Sequence, residues 1–90
     1  MIPDAELRVL EEKWEARVRF AKLRLDLCRL YTKHMQTLAT DTPPPDGGFA
    51  YRKALRSERA ALAQYSHTLR IYSDLVVYEI IPREDSKSHR

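Results

Sequence analysis

The sequence predicts an all-α fold: two long helices in an antiparallel hairpin that dimerises into a four-helix bundle. Three observations carry this. From Asp4 to Ala39 the chain is mostly Leu, Glu, Lys, Arg and Ala, strong helix formers with nothing to interrupt them. The breakers are confined, with both glycines and three of the five prolines in Pro43-Pro44-Pro45-Asp46-Gly47-Gly48. The apolar spacing on either side of that segment alternates between three and four.

The elements follow in order as one domain spanning 1–90. The first helix covers 4–39, with Pro3 at its start and Asp4 and Glu6 suited to the positive end of the macrodipole. A Pro/Gly hinge covers 40–48, where Asp46 is a candidate N-cap. The second helix covers 48–81, stopped by Pro82, and a polar tail over 82–90 is expected to be disordered. Helices of similar length with one short connection favour antiparallel packing.

The second helix shows a seam of Tyr51, Leu55, Glu58, Leu62, Tyr65, Leu69, Tyr72 and Val76. Beside it run the smaller Ala50, Ala54, Ser57, Ala61, Gln64 and Thr68, continuing into Ile71, Leu75 and Tyr78. The first helix has two apolar stripes. At 100° per residue, Leu7, Leu10, Trp14, Val18, Ala21, Leu25, Cys28 and Met35 share one side. Val9, Ala16, Phe20, Leu23, Leu27, Tyr31 and Leu38 lie nearly opposite. One partner helix covers one stripe, and a long exposed strip of Leu and Phe is rare on a monomer. The pattern therefore predicts a homodimer or higher oligomer, with Leu7, Trp14, Val18, Phe20, Leu23, Leu25, Leu27 and Tyr31 as candidate interface residues. The alternatives are a different protein on the second stripe or a curved hairpin that wraps both. Which stripe faces the second helix is open at this point.

Glu58 occupies a seam position where Leu is expected, so a carboxylate there calls for a cation. Arg24 is the candidate, or Arg17 from another chain; the alternative is that Glu58 reaches solvent. Charge is lopsided along the hairpin. Residues 17–33 and 52–59 hold ten cations against Asp26 and Glu58, whereas 4–15 and 74–85 hold nine acids against three cations. The exposed cations Arg19, Lys22, Arg29, Lys33, Arg52, Lys53, Arg56 and Arg59 form a candidate surface for an anionic partner.

No catalytic, cofactor-binding or metal-binding residues are predicted. His34, His67 and His89 are widely spaced, and none has Glu or Asp three residues before it. Cys-x-x-Cys is absent, and the one cysteine, Cys28, excludes an intrachain disulfide. No apolar stretch is long enough for a membrane span, and the amino-terminal residues lack the plan of a secretory signal, so the expected location is cytoplasmic. No small-molecule substrate is evident. The plan resembles the small helical hairpins secreted by actinobacteria, in architecture alone. Those proteins carry Trp-x-Gly in the turn, where this chain reads Pro-Pro-Pro-Asp-Gly-Gly, and Trp14 is mid-helix.

The function these features imply is a non-enzymatic protein–protein interaction module: a structural subunit, adaptor or small inhibitor that self-associates and meets a larger protein. The alternative is a basic helical dimer that binds nucleic acid through phosphates, although no recognised nucleic-acid motif is present.

Overall fold

The computed structural model of the chain describes residues 3–41 and 48–86, with the backbone alone for 39–41 and 86. Helix α1 spans Asp4–Asp41, α2 spans Phe49–Tyr78, and a single turn, α3, spans Arg83–Ser86. Two long helices packed against each other make a rod 60 × 20 × 16 Å. They are antiparallel: the Thr32 hydroxyl reaches the Ala54 carbonyl near the hinge end, and Trp14 meets the tail at the other. Most of the predicted hinge, 42–47, lies outside the described residues, and with it the proposed cap Asp46. The N-cap of α2 is Gly48, in the left-handed region at φ 85°, where a residue without Cβ meets no steric penalty. Its carbonyl accepts from the Arg52 N–H at 3.0 Å.

The structure decides which stripe of α1 faces α2. Trp14, Ala21, Leu25 and Thr32 are buried, so the first stripe makes the hairpin. On α2 the predicted seam is displaced sideways. The buried line is Ala54, Ala61, Thr68 and Leu75, a strict seven-residue repeat through the small-residue flank. Tyr51, Leu55, Glu58, Tyr65 and Tyr72 are half-buried beside it, and Leu62, Leu69 and Val76 are exposed. The reason is size complementarity. Trp14 and Leu25 project large side chains from α1, and α2 answers with the small Ala54, Ala61 and Thr68 along most of the line and with Leu75 at its far end. Stepping one heptad along each helix from the Thr32–Ala54 contact sets Leu25 at the level of Ala61. Thr32 and Thr68 are buried with their hydroxyls bonded to the Cys28 and Gln64 carbonyls one turn back, so neither leaves an unpaired donor.

The carboxyl-terminal reading needs two corrections. First, α2 ends at Tyr78, before Ile81. Glu79 turns left-handed (φ 55°), and its N–H returns to the Asp74 and Leu75 carbonyls. Pro82 disfavours helical backbone at Ile81, so the chain must leave the helix before it. Second, residues 82–86 of the tail are ordered. Pro82 and Asp85 are buried, and the Asp85 N–H donates to the Pro82 carbonyl at 2.9 Å. A short segment becomes ordered here because α1 offers one buried indole and two cations as its docking site. No described helix is long and apolar enough to cross a membrane.

Candidate functional site

Because the first stripe is used inside the hairpin, the second is left on the outside. Phe20 is 70% exposed, Leu23 56%, Leu27 57% and Leu30 65%. Val9, Tyr31 and Leu38 extend the same face toward the two ends of α1 and are also exposed. The centre of the face points roughly 150° away from α2 at 100° per residue, while Phe20, Leu27 and Tyr31 on its edge border a groove shared with α2. Of the eight predicted interface residues, Leu7, Trp14, Val18 and Leu25 lie on the side turned to α2. Phe20, Leu23, Leu27 and Tyr31 are the ones presented outward. Leu30 belongs with them; it was legible from its spacing of seven after Leu23.

Where α1 meets α2, one side of the hairpin is an open groove. Near the hinge it is lined by Leu27, Cys28, Tyr31, Phe49 and Ala54, with Arg24 and Lys53 on its rim. Farther along, Arg17, Phe20, Ala21, Arg24 and Thr68 continue it up to Glu84 of the tail. Arg24 is thus a groove residue, exposed, and no ion pair joins it to the half-buried Glu58 among the described residues. The two fall on opposite edges of the hairpin, because Ser57 borders this groove and Glu58 does not. Arg17, the other candidate for Glu58, is engaged elsewhere.

That engagement is a polar latch at the far end of the rod. Asp85 accepts from Trp14 Nε1 at 2.8 Å and from Lys13 Nζ. Arg17 holds Glu84 through both guanidinium nitrogens, at 2.6 and 3.1 Å, and lies 4.5 Å above the Trp14 ring. Burial pushes the Asp85 carboxyl up, but hydrogen bonds from Lys13 and Trp14 and the nearby Lys13 and Arg17 charges outweigh it. The carboxyl therefore titrates below its usual range. The Arg17 hydrogen bond likewise lowers Glu84, and the same bond raises Arg17. Sequence reasoning missed Lys13, Glu84 and Asp85. The available signal was Trp14 itself, since a buried indole N–H needs an acceptor and its own helix offers none.

The eight predicted surface cations are all exposed but do not share one face. Arg19, Lys22, Arg29 and Lys33 lie to one side of α1, within roughly 80° of arc. Arg52, Arg56 and Arg59 point outward from α2, and Lys53 borders the groove. Among the described residues no three His, Cys, Asp or Glu side chains gather as metal ligands would. Cys28 is a half-buried free thiol. No protein-family model matches the chain, and neither a curated protein nor a solved structure is significantly similar to it.

Proposed function

We propose that the protein is a non-enzymatic interaction module, a helical hairpin that self-associates through the outer face of α1. One observation supports this reading: an apolar strip of Phe20, Leu23, Leu27 and Leu30 lies in water at coiled-coil spacing, on the helix face opposite its intramolecular partner. A second copy covers such a strip by twofold symmetry, making a four-helix assembly with both α1 helices at its centre. The charged remainder of the surface is then offered to a larger protein, as in a structural subunit, an adaptor or a small inhibitor.

The experiment is absolute mass by light scattering after size exclusion, across a dilution series. Twice the 10.6 kDa chain, about 21 kDa, is expected for the wild type. Phe20→Glu should give folded monomers, whereas Leu25→Glu should unfold the hairpin. A wild-type mass of 10.6 kDa at every concentration would reject self-association.

The second reading, a basic dimer on nucleic acid, draws on the ten-to-two excess of cations over acids in 17–33 and 52–59. It requires affinity that falls steeply with salt and is lost in charge reversals of Arg19, Lys22, Arg52 and Arg56. The divergent directions of the α1 and α2 cations favour the protein reading.

A further inference from the structure

The outer face of α1 has a charged border whose signs select one arrangement of two copies. Val9, Ala16, Phe20, Leu23, Leu27 and Leu30 form the apolar seam. Along one edge, at strict seven-residue intervals, stand Glu12, Arg19, Asp26 and Lys33. All four reach solvent, and Asp26 is only loosely engaged, with Lys22 at 3.5 Å from its Oδ2. Signs alternate along this edge.

From this we infer that two copies pair through α1 in one antiparallel register. In it Glu12 faces Lys33, and Arg19 faces Asp26, of the second copy. This rests on the self-association proposed above and fixes its geometry. An antiparallel pair brings this edge against itself, reversed. With Phe20 packed on Leu23 of the second copy, Leu27 falls on Ala16, while Leu30 reaches Lys13 and Val9 reaches His34 at the ends of the contact. In that register the border makes Glu12–Lys33 and Arg19–Asp26 pairs, each twice by symmetry.

The neighbouring registers are worse in charge. Sliding one heptad in one direction packs Phe20 on Leu30 and Leu27 on Leu23 but sets Asp26 on Asp26 and Arg19 on Lys33. Sliding the other way sets Arg19 on Arg19 and Glu12 on Asp26. A parallel pair brings this edge against the opposite one, where Arg19 meets Arg24. The opposite edge, with Arg17 and Arg24, stacks arginine on arginine in all three antiparallel registers and so promotes neither slide. In the inferred one it is Arg17, already matched by Glu84 within its own chain, that meets Arg24. The same antiparallel placement lays the acidic end of each rod on the basic end of the other.

The test is charge reversal and rescue in the full chain. Glu12→Lys and Lys33→Glu should each raise the dimer dissociation constant roughly tenfold or more, because two attractive pairs become two repulsive ones. The double variant should return it to within about threefold of wild type, and circular dichroism should show unchanged helicity throughout. Glu12 and Lys33 stand roughly 30 Å apart along one straight helix, so rescue can only occur between copies. A dimeric wild type whose double variant associates no better than the single ones overturns the register while leaving self-association standing. A wild type that remains monomeric overturns both.

Discussion

The indole N–H of Trp14 donates to Oδ2 of Asp85 at 2.8 Å, joining residues 71 positions apart. It is the centre of the tail's attachment to α1. Lys13 binds the other carboxylate oxygen, and Arg17 covers the ring while holding Glu84. The polar partners described lie close together on α1, at Lys13, Trp14 and Arg17, and in two adjacent tail residues, Glu84 and Asp85. The latch should therefore open as a unit.

Asp85→Ala leaves the buried indole without its acceptor. The loss should be about 2 kcal/mol, in the range for a hydrogen bond to a charged group, measured by urea denaturation. Trp14 is the sole tryptophan, so its emission should shift to the red as the tail releases. Helicity of α1 and α2 should stay, because Leu25, Ala61 and Thr68 pack independently of the tail. An unshifted emission maximum would show that the tail is not docked on Trp14 in solution.

Acid should open the same latch. The Asp85 carboxyl titrates lower in the folded chain than in the unfolded one. Its contribution is thus complete above the ordinary aspartate value of about 4 and is lost as pH falls through the lower folded value. Trp14 emission in wild type should follow that transition as pH falls below the ordinary aspartate value of about 4. Asp85→Asn should remove the transition, and its persistence in that variant would assign it to another group.

Glu79 closes α2 in the left-handed region, where a side chain is disfavoured. Glu79→Gly should raise stability by roughly 0.5–1 kcal/mol, the relief at φ 55° exceeding the entropy that glycine adds to the unfolded chain. A lower thermal midpoint would mean that the helix continues past Tyr78 in solution.

The displaced seam of α2 makes neighbouring positions respond in opposite ways. Ala61 is 2% exposed against α1, so Ala61→Leu should overpack the contact and cost about 1–3 kcal/mol. Leu62 is 43% exposed, so Leu62→Ala should cost less than Ala61→Leu, about 1 kcal/mol. Under the seam predicted from periodicity alone the order would be reversed, so one pair of denaturation curves separates the two.

What the sequence by itself determined was the element plan. Composition and the confined Pro/Gly segment set two helices and one reversal, because propensity and breakers act locally. The two stripes of α1 were also legible, since periodicity needs only the helical pitch. Three things waited for the tertiary structure. Which stripe of α1 turns inward depends on what α2 can accept: Trp14 and Leu25 found a line of Ala and Thr, and Phe20 and Leu27 were left outside. Over Ala54, Ala61 and Thr68 the contact line of α2 is set by small size, which let Ala54 and Ala61 displace Leu55 and Leu62 from its centre. The tail took its place only because Trp14 on α1 needed an acceptor that its own helix could not provide, and a chain folded back on itself could bring Asp85 to it.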